Sequence, residues 1–170
     1  GDTGSRLVDL NGDGLSDFVT AKGDNMGDGP IETNVSLNTG NGWVRNSGWS
    51  IPVDIRFGTI FVDYNSDGLV DILQGYKNDT SNPTIEKRYG YKNNGDKTWS
   101  LDTDYTPPIV FAAQTSYASL PLSTGTLFGD INGDGLIDIL SGSNTTNGVY
   151  LNNGSGWYFS TNWQFALAGI

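Results

Sequence analysis

The sequence predicts an all-β chain built from three β-propeller blades, each a four-stranded antiparallel repeat. Three observations predict it. One acidic stretch recurs three times, as DLNGDGLSD (Asp9 to Asp17), DYNSDGLVD (Asp63 to Asp71) and DINGDGLID (Asp130 to Asp138). Apolar residues come in short, often alternating runs bounded by Gly, Asn, Asp and Pro, the pattern of strands. No stretch sustains a 3.6-residue period, so almost no helix is expected.

The repeat extends beyond the acidic stretch. Gly4, Gly58 and Gly125 each stand five residues before a first Asp. LNTGNGW (Leu37 to Trp43), KNNGDKTW (Lys92 to Trp99) and LNNGSGW (Leu151 to Trp157) follow later in each copy. A second aromatic, Trp49, Tyr105 or Trp163, comes six residues after each Trp. Leu7 to Asp9 leads into the first acidic stretch and Asp17 to Thr20 leads out of it. Val35 to Leu37 and Trp43 to Arg45 read as a hairpin across an Asn-Gly-rich turn. The repeats are bounded at about 1–57, 58–124 and 125–170 within a single propeller region, 1–170. Propellers close with about 4–8 blades. Three blades therefore imply part of a larger propeller, or one completed by oligomerisation, most simply six blades from a dimer. The start at Gly1 and the end at Ile170 read as whole units lifted from a longer array.

Composition excludes several chemistries. The chain has no His and no Cys, which removes Ser-His-Asp and Cys-His catalysis, imidazole and thiolate metal sites, and disulfides. No run of about 18 apolar residues is present, so no membrane insertion is expected. The net charge of −10 argues against a phosphate-binding surface, hence against nucleic acid as a partner. Nine of the 19 acids lie in the three short stretches. Crowding three carboxylates into nine residues is repulsive unless a cation sits among them.

In D-x-N-x-D-G-L-x-D, side chains at loop positions 1, 3 and 5 converge if the chain winds around a point. Position 6 needs a residue tolerant of positive φ, position 7 offers a backbone carbonyl, and position 9 brings a last carboxylate. All are hard oxygens, which suit Ca²⁺ better than Mg²⁺. Three calcium sites are expected. The first uses Asp9, Asn11, Asp13, the Leu15 carbonyl and Asp17. The second uses Asp63, Asn65, Asp67, the Leu69 carbonyl and Asp71. The third uses Asp130, Asn132, Asp134, the Leu136 carbonyl and Asp138. The competing reading is a tight Asx-type turn satisfied by backbone N–H groups, without metal. The leucine at position 7 is expected to point into the blade core.

At these residues the chain resembles the FG-GAP/VCBS repeat family, which includes the calcium-binding blades of integrin α-subunit propellers and many bacterial surface and toxin-associated proteins. The LNNGSGW-like hairpin resembles the bacterial form, and Phe128-Gly129 is the nearest trace of the FG signature. The resemblance implies a propeller with Ca²⁺ in a hairpin loop of each blade, serving recognition, adhesion or scaffolding at an extracellular or cell-surface location. Ser66 replaces a Gly of the other copies, and Asn in place of Asp at position 3 removes one charge per site.

The partner is expected to be a protein or glycan. One alternative function is a carbohydrate-binding, lectin-like propeller; another is a scaffold segment of a large bacterial surface or toxin-associated protein. Trp43, Trp49, Trp99, Tyr105, Trp157 and Trp163 read first as packing between blades and second as a sugar-stacking set. Segments 21–33, 76–88 and 112–124 read as variable loops and candidate recognition surface. Four glycosylation sequons begin at Asn34, Asn78, Asn144 and Asn153. No catalytic residue and no enzymatic activity are expected. The only two Glu, Glu32 and Glu86, fall in predicted loops of different copies, and nothing brings them together.

Overall fold

The computed structural model describes residues 3–23, 30–45, 48–116, 120–142 and 147–163. All the regular structure among them is β. The first sheet takes β1 (Ser5–Val8), β2 (Asp17–Lys22), β3 (Glu32–Asn38) and β4 (Trp43–Arg45) in chain order, each pair antiparallel. In β2, Asp17, Val19 and Ala21 are buried while Phe18 and Lys22 are exposed, the alternation of a strand with one face on a core.

The second sheet holds β5 (Thr59–Val62), β6 (Asp71–Asn78), β7 (Ile85–Asn93), β8 (Trp99–Asp102), β9 (Ala112–Gln114) and β10 (Leu122–Ser123). The third repeats the order of the first with β11 (Thr126–Gly129), β12 (Asp138–Ser141), β13 (Gly148–Asn152) and β14 (Trp157–Ser160). The four-stranded antiparallel expectation describes the first and third sheets and needs correction for the second. That sheet has six strands, and β9 runs parallel to β6. The cause is strand length. β5 covers β6 only as far as Gln74, and the remaining edge, Tyr76 to Asn78, pairs with Ala112 to Gln114. Covering the edge satisfies its backbone groups. Parts of the segments read as variable loops are therefore strand: β6 and β7 reach into 76–88, and β9 and β10 into 112–124. Glu32 and Glu86 likewise lie in β3 and β7 rather than in loops, paired with Lys22 at 3.6 Å and Arg88 at 2.9 Å. The sequon at Asn144 lies outside the described residues.

The sheets stack face to face around two cores. Val19, Val35, Trp49, Ile51 and Ile55 of the first unit meet Ile72, Phe61 and Trp99 of the second. Leu73, Tyr105, Ile109 and Phe111 of the second meet Ile139, Phe128 and Trp157 of the third. The repeated aromatics make these joints. Trp99 lies against Trp49 with ring centroids 5.9 Å apart, and Trp157 meets Tyr105 edge-on at 5.7 Å. Trp43 and Trp163, which lack a neighbouring unit among the described residues, are 52% and 45% exposed.

Between the first two units, Asp54 is a buried carboxylate held by Arg56. Arg56 Nη2 is 2.5 Å from Asp54 Oδ2, Nε donates at 3.0 Å, and the Gly23 amide donates to Oδ2 at 3.0 Å. Burial alone would raise the Asp54 pKa. The Arg56 guanidinium and the Arg56 and Gly23 amides outweigh it and hold the carboxyl below its ordinary value. A depressed folded-state pKa contributes stability above the unfolded value, and that contribution disappears as pH falls through the folded value. Asp54→Asn is therefore expected to be less stable than the parent by about 2 kcal/mol at pH 7. The gap should close as acid protonates Asp54 in the parent. Melting curves of both proteins at pH 7 and pH 3 check this, and a gap equally wide at both would contradict it.

Candidate metal centres

Each acidic stretch forms the turn between the first two strands of its sheet. The register fixes it there: Val8 pairs with Asp17, Val62 with Asp71 and Gly129 with Asp138. The position-9 carboxylate is thus the first residue of a strand and faces inward. Asp17, Asp71 and Asp138 are all fully buried.

The rest of each loop curls over its own carboxylates. Asp9 Oδ1 accepts from the Gly12 and Asp13 amides at 2.8 and 3.1 Å, and Oδ2 accepts from Gly14 at 2.8 Å. Asp130 repeats this with Gly133, Asp134 and Gly135 at 2.7, 3.1 and 2.9 Å. Asp63 accepts from Asp67 and Gly68 at 3.1 and 2.9 Å. The Asn11, Asn65 and Asn132 carbonyls accept from the amide two residues on, at 3.1, 2.9 and 2.9 Å. Asp13, Asp67 and Asp134 accept from the Leu15, Leu69 and Leu136 amides at 2.9, 3.1 and 2.9 Å. These are Asx-type turns. Among the described residues no three carboxylates converge closely enough to hold a metal ion. The leucines do not enter the core as expected. Leu15 is 36% exposed, and each leucine lies towards the glycine of its unit's hairpin turn: Gly40, Gly95 or Gly154.

The chemistry of the donor set nevertheless fits a hard cation, because carboxylate and amide oxygens dominate the loops. The second loop also contains an orphan. Asp71 Oδ1 accepts from the Asn93 amide at 2.8 Å, but Oδ2 is buried with no partner. The corresponding oxygens of Asp17 and Asp138 accept from the Leu10 and Ile131 amides at 3.0 and 2.8 Å. The Tyr64 amide also acts on the Asp71 carboxyl and lowers its pKa, but it is not within hydrogen-bond geometry of Oδ2. Burial pushes the Asp71 carboxyl up to about 7. The Asn93 amide opposes the rise, and the Asp67 and Asp63 carboxylates add to it. A buried carboxylate oxygen without a partner is a strong acceptor in want of a cation or a donor.

A second set of residues, read from sequence only as turn formers, binds the loops to one another. The backbone amides of Asn38, Asn93 and Asn152 donate to Asp17, Asp71 and Asp138 at 2.9, 2.8 and 2.8 Å. Their side chains go further. Asn93 Nδ2 donates to the Leu10 carbonyl in the first loop at 3.0 Å, and Asn152 Nδ2 to the Tyr64 carbonyl in the second at 2.7 Å. The recurrence of Asn at the same place before each turn was the available signal.

No curated protein matches the chain. Residues 130–169, which open on the first aspartate of the third loop, match the family model for an FG-GAP-like repeat. With the same loop, hairpin and sheet order recurring in the unit around β11–β14, this chain carries an FG-GAP-like repeat.

Proposed function

We infer that the chain is a calcium-stabilised β-propeller module, with one Ca²⁺ per acidic loop, serving recognition, adhesion or scaffolding outside the cytoplasm. The observation that carries the calcium reading is Asp71 Oδ2, a buried, unpartnered carboxylate oxygen at position 9 of a loop otherwise rich in hard donors. Residues at positions 1, 3, 5 and 9, with the position-7 carbonyl, would hold the ion. Its role would be to offset carboxylate repulsion and pin the β1–β2, β5–β6 and β11–β12 turns.

The propeller reading is supported by the stacking. Phe61, Ile72 and Trp99 are covered by the first unit, and Phe128, Ile139 and Trp157 by the second. Their counterparts Leu7, Phe18 and Trp43 are exposed, as is expected of a blade face awaiting another blade of the same kind. Burial of Trp49, Tyr105 and much of Trp99 and Trp157 in the joints argues for packing over a sugar-stacking array. Glu32 and Glu86 are paired separately, with Lys22 and Arg88, so these two do not face each other as a carboxylate pair. Among the described residues no helix is long and apolar enough to cross a membrane.

Calorimetric titration of chelator-treated protein with CaCl₂ tests the calcium reading. Binding is expected in the range of roughly 10⁻⁴–10⁻³ M. Each occupied site should add about 1.4 kcal/mol of stability at ten times its Kd. Absence of binding heat together with identical melting midpoints in chelator and in excess calcium would refute it.

A further inference from the structure

The three loops are not equivalent, and the difference is a lysine. Leu37 and Leu151 occupy the position before the hairpin Asn in the first and third units; the second has Lys92. Its ammonium reaches across to the acidic loop, with Nζ 3.1 Å from Asp67 Oδ2. In the other loops that oxygen accepts from the neighbouring asparagine: Asn11 Nδ2 donates to Asp13 at 3.0 Å and Asn132 Nδ2 to Asp134 at 2.8 Å. In the second loop the lysine has taken the asparagine's acceptor, and Asn65 Nδ2 is buried with no partner. The lysine therefore acts on the position-5 carboxylate itself and not on a remote surface charge.

We propose that Lys92 is a built-in counter-ion of the second loop, which competes with calcium there and makes this site the weakest of the three. The inference rests on the calcium reading above and deepens it. The ammonium held on Asp67 relieves the crowding at that carboxylate without the metal, while Asp71 Oδ2 still lacks a partner, so a weaker second site requires the charge on Asp67 to outweigh that unmet acceptor. An arriving divalent cation must either displace the ammonium or accept its repulsion. At the separation imposed by a shared carboxylate, a unit charge acting on a divalent ion in water-like surroundings changes affinity by about tenfold. The chain would then fill its first and third loops at low calcium and its second only as calcium rises.

Three glycines supply a separate reporter for each loop. The Gly14, Gly68 and Gly135 amides donate to the position-1 carboxylates at 2.8, 2.9 and 2.9 Å, so their amide NMR signals should follow their own loops. In a CaCl₂ titration, the Gly68 midpoint is expected at about ten times the calcium concentration of the other two. In Lys92→Leu, the Gly68 midpoint should fall about tenfold to join them, with Gly14 and Gly135 unmoved. Lys92→Arg, which keeps the charge, should leave the weak site weak. Ser66, the other peculiarity of this loop, is unchanged in both variants and so cannot account for a difference between them. Coincident midpoints in the parent protein, or a Gly68 midpoint indifferent to Lys92→Leu, would overturn the inference while leaving calcium binding intact. All three signals unmoved by millimolar calcium would instead remove the calcium reading, and this inference with it.

Discussion

Asn152→Ala is expected to destabilise the protein by about 3 kcal/mol, a fall of roughly 6–12 °C in melting midpoint for a chain of this size. Asn152 is 1% exposed and belongs to the third unit, yet its side chain serves two units. Nδ2 donates to the Tyr64 carbonyl in the second acidic loop at 2.7 Å. Oδ1 accepts from the Gly154 amide at 2.9 Å and the Tyr105 hydroxyl at 3.3 Å. Alanine removes all three bonds and strands groups that water reaches poorly, so the loss is a desolvation penalty more than a lost attraction. Asn93→Ala should behave alike, because Asn93 is fully buried and its Nδ2 holds the Leu10 carbonyl at 3.0 Å and Val70 at 3.2 Å. Asn38→Ala provides the control. Among the described residues its side chain bonds within its own unit, to Ser16 and Gly40 at 3.2 and 3.0 Å, on the exposed side. A loss of about 1 kcal/mol is expected there. Denaturant melts of the three variants check the ranking. Equal losses at all three positions would show that the asparagines act as turn formers alone.

The strands around each acidic loop were legible because their cause is local. Alternation in Asp17 to Lys22 and the Asn-Gly turn after Asn38 point to a hairpin whatever the rest of the chain does. That each acidic stretch makes a turn was legible for the same reason, since its Asx-type turns close within the loop's own residues. The asparagine links were not, because the partner of Asn93 lies 83 residues away and that of Asn152 lies 88 away. No local rule distinguishes an asparagine that only makes a turn from one that also reaches a neighbouring unit. The parallel β6–β9 pair escaped for a related reason. It exists because β6 outruns β5, a difference in length between partners far apart in sequence. Lys92 carried no reading of its own in the sequence, because only the fold brings it against Asp67. The leucine at position 7, expected in the blade core, is not found there. The turn instead swings it towards the hairpin glycine.

Gly58→Ala is expected to be the most damaging single methyl addition, at about 4 kcal/mol. Gly4, Gly58 and Gly125 occupy the same place in the repeat, all with φ between 58° and 79°, and their carbonyls accept from Ala21, Gly75 and Gly142 at 3.2, 2.7 and 3.3 Å. Positive φ alone costs an alanine about 1 kcal/mol at any of them. What separates them is the space around Cβ. At Gly125 the nearest atom to an added Cβ is 3.8 Å away, so the conformational cost is nearly the whole effect. At Gly58 the added carbon would run into the Gly75 carbonyl, and that carbonyl cannot retreat. It accepts the Phe111 amide at 2.6 Å, and Gly75 itself is enclosed by the Ile109 carbonyl and the Phe111 amide, each 2.9 Å from where its own Cβ would stand. Three backbone segments meet there with no flexible side chain to yield, so relief requires prising β6 away from the 109–112 segment. Overpacking of that kind adds roughly 1–3 kcal/mol. Thermal melts of Gly58→Ala and Gly125→Ala measured together decide the matter. A fourfold larger loss at Gly58 is expected, and similar losses would mean that the junction between β5, β6 and β9 relaxes more freely than its backbone contacts imply.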